Sequence, residues 1–197
     1  MQLFYTPDID ASHPQYFLSE EESKHAIRVL RLETGSEVQL IDGRGGLYTA
    51  QIHDAHPKRT ILKITSVNTE FEKRNHYLHL AVAPTKNIER LEWFLEKATE
   101  IGIDEVSLII TQRSERKEAK TERLNKIITA AIKQSLKAYH PILNEPVTLN
   151  QLLDKPFKGQ KFIAHCEPGE KFNLKDENNP AGALFNIDRP GRGFCSG

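Results

Sequence analysis

Between residues 77 and 110 an amphipathic helix lies between two apolar runs, and no other feature of the chain limits its fold so tightly. Tyr77 to Ala83 reads as a strand, Ile88 to Ile101 as a helix and Glu105 to Ile110 as a second strand. Ile88, Leu91, Leu95 and Ala98 fall on one side of a helical repeat. Gly102 stands where a left-handed residue closes a helix. A second helix is predicted over Thr121 to Lys137, with Leu124, Ile127, Ile128, Ala131 and Ile132 on one broad face. Thr121 is its expected cap and Pro141 its stop. A strand from Lys161 to His165 follows. Strands and helices in alternation predict an α/β domain with a mostly parallel sheet. Such sheets bind ligands beyond the carboxyl ends of their strands, and Arg113 and Arg116 follow the second strand there. Planar guanidinium groups suit phosphate and carbonyl oxygens, so this end points to an anionic substrate.

Ahead of residue 77 the pattern is different. Three short strands, Glu37 to Asp42, Leu47 to Asp54 and Thr60 to Val67, are separated by turns rich in Gly or Pro. They predict a small barrel or sandwich. Ser19 with Glu22 makes a capping-box signature that opens a short helix bearing Ala26, Ile27 and Leu30. The polar run Thr69 to Asn75 places the domain boundary, giving domains over 1–72 and 73–197. Lys24, Arg28 and Arg31 are spaced to share one helical face, either a solvated surface or a phosphate-contacting one; spacing leaves both open. A second basic cluster holds Arg113, Arg116, Lys117, Lys120, Arg123 and Lys126, with Glu115, Glu118 and Glu122 interleaved. Much of it reads as solvated ion pairs of little energetic worth, Arg113 and Arg116 excepted.

The formal net charge of +0 means that any nucleic-acid contact must come from such local patches. No apolar run has the length of a membrane span, and the N-terminus lacks a charged-then-apolar signal. Cys166 and Cys195 have no paired spacing and read as free thiols of a reducing cytoplasm; neither a disulfide nor a metal site is expected. His76 and His79, three apart on a strand, face opposite sides and share no metal. Gly43-Arg44-Gly45-Gly46 lies between two strands and opens no helix, so it reads as a hairpin turn rather than a phosphate loop.

An ordered set of short motifs runs from residue 1 to about residue 168. It comprises Phe4-Tyr5, His25 to Arg31 with Gly35, Asp42-Gly43, Lys86 with Arg90, Glu92 and Lys97, Thr99 to Ile103, Arg113-Ser114-Glu115-Arg116, and Glu122-Arg123-Leu124. This set resembles the bacterial 16S ribosomal RNA uridine-N3 methyltransferases of the trefoil-knot (SPOUT) class. The resemblance implies a PUA-like RNA-binding β-barrel, then a knotted α/β domain that binds S-adenosyl-L-methionine and forms a homodimer in the cytoplasm. It implies 16S ribosomal RNA, free or in the small subunit, as partner. By position, Lys24, Arg28 and Arg31 fall in the RNA-contacting part, and Arg113 and Arg116 beside the target base. His165 and Glu167 fall at the edge of the methyl-donor pocket. Arg113 is the candidate to stabilise negative charge on the uracil, and Arg116 to hold a backbone phosphate. One departure lies in Ile132 to Lys137, where the family commonly has Glu-Gln; here Lys133 precedes Gln134, and Lys137 stands in for an arginine.

Family members also continue past the position of Gly197, through a Gly-Pro-Glu-Gly loop and segments that thread the knot. The residues from Asp188 onward, read one nucleotide out of frame, can encode Thr-Gly-Pro-Glu-Gly-Asp-Phe. The expectation is therefore a frameshift just before Asp188, with the knot segment missing and little donor binding or activity in the chain as it stands. Two other readings remain: a non-catalytic RNA-binding protein, and an unrelated α/β enzyme acting on a phosphorylated small molecule.

Overall fold

The computed structural model describes residues 2–111, 114 and 119–164, together with the backbone of 183–188. The chain forms two compact units, residues 1–73 with 132–140, and residues 74–131 with 141–197.

In the first unit, strands β1 (Gln2–Tyr5), β2 (Gln15–Phe17), β3 (Glu37–Ile41), β4 (Leu47–Asp54) and β5 (Ile61–Asn68) form one sheet. Its order is β1-β3-β4-β5-β2, with β1 parallel to β3 and the other pairs antiparallel. The expected barrel is thus a curled half-barrel whose edges are β1 and β2. Val38 and Leu40 of β3 and Tyr48, Ala50 and Ile52 of β4 alternate inward and bury against Phe4, Leu18, Ala26 and Leu62. The short strands β1 and β2 were not read from the sequence, since neither is long enough to show alternation.

The glycines at 43 and 45 do form the hairpin between β3 and β4, both at positive φ. They also receive residues 138–140. Gly45 N donates to Ala138 O, His140 N donates to Gly43 O, and Tyr5 stacks on His140 at 5.3 Å. A Cβ at Gly45 would lie 2.5 Å from the Tyr139 ring, so only glycine admits this approach. Ile132 and Ala138 close a small core with Ile41.

The second unit contains β6 (Tyr77–Val82), α2 (Ile88–Ile101), β7 (Glu105–Ile110), α3 (Thr121–Ser135), β8 (Ile142–Thr148), α4 (Leu149–Leu153), β9 (Gln160–Ala164) and β10 (Ala183–Asp188). α3 begins in this unit and its last residues belong to the first. The sheet order is β8-β7-β6-β10-β9, and every pair is parallel. One face is covered by α2 and α3, with Leu91, Leu95, Val106, Leu108, Leu124 and Ile128 in the core. The other face buries Ala81, Ala83, Ile109 and Leu152. Coverage on both faces explains why β7 is buried at every position from Val106 to Ile109.

Helix α2 starts at its Asn87 cap, which accepts from Glu89 N, and stops at Gly102 with φ 107°, the left-handed closure expected there. α3 departs from expectation at both ends. Thr121 spends its hydroxyl on Glu145 Oε1 at 2.8 Å. Leu136, not Pro141, ends the helix: it takes φ 54°, and Lys137 N bonds back to Ile132 O in a Schellman closure. β8, α4 and β10 were not expected. β8 carries Pro146 and alternating polar residues that mask its strand character.

Candidate functional site

In the first unit, α1 (Glu20–Lys24) begins where Glu22 N donates to Ser19 Oγ, one half of the capping box. The Glu22 carboxylate turns instead to Lys133, 3.2 Å away. Beyond Lys24 the helix widens to a π-turn over His25–Val29, closed by Leu30 N bonding to His25 O. Arg31 lies past the helix in a left-handed conformation, φ 54°. The expected single helical face of Lys24, Arg28 and Arg31 is therefore not formed, because Arg31 stands beyond the helix on a reversed backbone. Lys24 is held by Glu20 at 2.7 Å. Arg28 and Arg31 are exposed and carry no ion pair among the described residues. Ser23 anchors the base of this segment, donating to Leu18 O and accepting from Thr60 N. Lys133, where the family pattern departs, serves Glu22 here and lies 5.9 Å from the Phe4 ring centre. Lys137 pairs with Glu72 at 3.3 Å.

In the second unit the strand order reverses beside β6. The chain moves outward from β6 to β7 and β8, crosses to the far edge at β9, and returns as β10 against β6. The crevice at the carboxyl ends of β6 and β10 is where such sheets hold a ligand. Arg113 and Arg116, and His165 and Glu167 next to β9, all lie outside the described residues. Ser114, between the two arginines, is buried; its Oγ accepts from Thr111 N at 2.9 Å and so ties that loop to the end of β7.

Glu92 and Arg123 join α2 to α3 near the same edge. Arg123 Nε stands 2.7 Å from Glu92 Oε1, and Nη2 donates to Oε2 at 3.1 Å. Lys97 is held by Glu96 and Glu100 of its own helix, at 2.8 and 2.9 Å.

A buried polar cluster escaped the sequence reading because its members come from three strands. His79 of β6 and Ser107 of β7 share a hydrogen bond of 2.9 Å between Nε2 and Oγ. Asn144 of β8 donates to Ser107 Oγ at 2.9 Å and to Glu105 Oε1 at 2.5 Å. Tyr77 donates to Glu105 Oε2 at 2.5 Å, and His79 Nδ1 lies 3.6 Å from the same oxygen. Burial lowers the His79 pKa, against a smaller opposing pull from Glu105. Desolvation, then the bond to Glu105, raises the Tyr77 hydroxyl. Leu152, Lys155, Pro156, Phe157 and Lys161 complete a cavity of about 100 Å³ over the cluster. His79, Glu105 and Tyr77 lie toward the amino ends of their strands, away from the ligand-binding edge. The cluster thus ties β6, β7 and β8 together. Among the described residues no group of His, Cys, Asp and Glu could hold a metal ion, and no helix is long and apolar enough to cross a membrane.

Comparison with known proteins finds the RNA methyltransferase domain over residues 72–188 and the RNA methyltransferase PUA domain over residues 18–65. Ribosomal RNA small subunit methyltransferase E of Synechocystis is 32% identical over 162 residues, covering 78% of this chain and 52% of that protein. Its namesake in Rickettsia conorii is 27% identical over 147 residues, covering 74% and 59%. The chain spans about half the length of the curated relatives it matches. A probable rRNA-methyltransferase from Porphyromonas gingivalis superposes with a TM-score of 0.86 at 34% identity, covering 96% of this chain and 80% of that one. A Neisseria gonorrhoeae ribosomal RNA small subunit methyltransferase E, solved with S-adenosyl methionine, shares the fold at a TM-score of 0.83 and 24% identity, covering 95% and 78%.

Proposed function

The chain belongs to the RNA methyltransferase family, and from that premise we propose that it methylates N3 of a uridine in 16S ribosomal RNA with S-adenosyl-L-methionine as donor. The reading rests on one observation: a PUA domain match over 18–65 precedes a methyltransferase domain match over 72–188, on a parallel sheet that reverses order at β6. The fit to the donor is one of shape and donor chemistry. The reversal supplies a crevice of strand ends, and Glu167, next to β9, supplies a carboxylate for ribose hydroxyls or an ammonium group. The bound donor would supply an electrophilic methyl group.

Everything else falls to the residues of the chain. Methyl transfer to a ring nitrogen is an in-line displacement that depends on positioning, so the site needs no His–Asp pair. As N3 gives up its proton to water, negative charge spreads over the uracil, and the Arg113 guanidinium stabilises it. Arg116 holds a neighbouring phosphate. Lys24, Arg28 and Arg31 contact the RNA backbone from the PUA-bearing domain, 1–72; the methyltransferase domain is 73–197. The cytoplasm is the working compartment, and the homodimer belongs to the intact family.

The test is incubation of the chain with methyl-labelled donor and 16S ribosomal RNA, free and in the small subunit, followed by nucleoside analysis. Label in 3-methyluridine is expected from an intact family member, and little of it from the chain as it stands. RNA binding without donor binding by calorimetry would leave a non-catalytic RNA-binding protein; no RNA binding at all would overturn the reading. Arg113→Ala, tested in an intact family member, should lower methyl transfer by more than it lowers RNA affinity.

A further inference from the structure

Lys120, Arg123 and Lys126 follow one another at three-residue steps along the start of α3, and all three are exposed. Arg123 N and Leu124 N both bond to Lys120 O, so Lys120 already keeps the helical register. By interleaving alone these cations would pair with neighbouring glutamates. The structure instead pairs Arg123 with Glu92, 31 residues away on α2. Lys120 and Lys126 hold no ion pair among the described residues.

The Glu92–Arg123 pair is lopsided. The Glu92 side chain is 16% exposed and that of Arg123 62%. Partial burial of a carboxylate is unfavourable, and an apolar residue would fill the same place at least as stably. What Glu92 adds is a fixed guanidinium. One Nη2 hydrogen goes to Glu92 Oε2 while Nε stands 2.7 Å from Oε1, which leaves both Nη1 hydrogens and the second Nη2 hydrogen for a ligand. Each helix follows a strand of a parallel sheet, so both start at the carboxyl edge where the ligand crevice lies. The stripe extends about 9 Å along the helix, roughly two or three phosphates of a stacked strand. Glu122 stands about 100° from Arg123 around the helix and about 40° from Lys126, one turn further on.

We propose that Lys120, Arg123 and Lys126 form a phosphate-contacting stripe for an RNA strand, with Arg123 as its anchor and Glu92 as the positioning residue. This rests on the RNA-directed function proposed above and adds a second RNA-contacting surface, on the unit that carries the ligand crevice. The probe is an in vitro transcript of 16S ribosomal RNA, titrated with the full chain at several salt concentrations. Arg123→Ala should weaken binding several-fold and reduce the salt slope by about one. Arg123→Lys, which keeps the charge but not the planar fork, should fall in between. Glu92→Gln makes the chain one charge more positive. Simple attraction would then tighten binding, whereas loss of the positioning carboxylate should weaken it. Thermal melts confirm that each variant is folded. An unchanged slope in Arg123→Ala, or tighter binding by Glu92→Gln, overturns the proposal. Binding that falls in the Arg28→Ala/Arg31→Ala double variant but not in Arg123→Ala overturns this proposal alone; no binding by the unaltered chain overturns both it and the functional reading.

Discussion

Two short basic stretches, one in each unit, look alike in the sequence and are built differently. Lys24 to Arg31 begins as a regular helix, loosens into a π-turn and ends in a left-handed arginine, with Arg28 and Arg31 in no ion pair among the described residues. Lys120 to Lys126 opens a regular helix whose central arginine is held by a partly buried carboxylate from another helix. In the first, the two arginines must lose side-chain freedom when they meet a ligand; in the second, the central arginine has already lost it. The residue types alone do not distinguish a loose cationic surface from a fixed one. The partner across the fold does.

Removing the support beneath the second stretch should have the largest effect. Leu124 is 1% exposed in the core shared by α2, α3 and the sheet. Leu124→Ala should cost about 2–5 kcal/mol in urea unfolding. A loss below about 1 kcal/mol would mean that the start of α3 is not anchored as described.

Next comes a pH effect that belongs to His79 of the second unit. Folding lowers the His79 pKa, so below its ordinary value of about 6.5 the unfolded chain binds more protons than the folded one. Stability should therefore fall as pH drops through that value toward the lower folded pKa, and level off below both. His79→Gln should flatten the curve in this window; identical profiles for the two chains would remove His79 as the cause.

A smaller effect separates stability from binding in the first stretch. Arg31 holds a left-handed backbone at φ 54°, which favours glycine. Arg31→Gly should change stability by no more than about 1 kcal/mol, in the stabilising direction, yet weaken RNA binding. Loss of both together would indicate a structural role for the side chain. The smallest change should come from Arg28→Ala: within about 0.5 kcal/mol in stability, with the salt slope of RNA binding reduced by about one. An unchanged slope returns Arg28 to the ordinary solvated surface.

Much of the second unit was legible because its signals are local. The apolar face of α2, the cap at Gly102 and the run in β7 depend on residues a few positions apart, and each occurs where its pattern places it. The helix after Ser19 began as expected but did not stay regular, since the anchoring of Ser23 to Leu18 and Thr60 depends on strands the pattern does not relate to it. β1 and β2 were too short to register, and Pro146 disguised β8.

By itself the sequence determined the change from strand-only to alternating architecture, the hairpin reading of the 43–46 turn and the family resemblance, all of which rest on short-range spacing or on ordered motifs. Only the tertiary structure decided which charges are paired. Glu92 with Arg123, Glu22 with Lys133, and the His79–Ser107–Asn144–Glu105 cluster each join residues 28 or more positions apart. Periodicity carries no information about such contacts, because whether a side chain meets a partner depends on how elements pack, not on how far apart they lie along the chain.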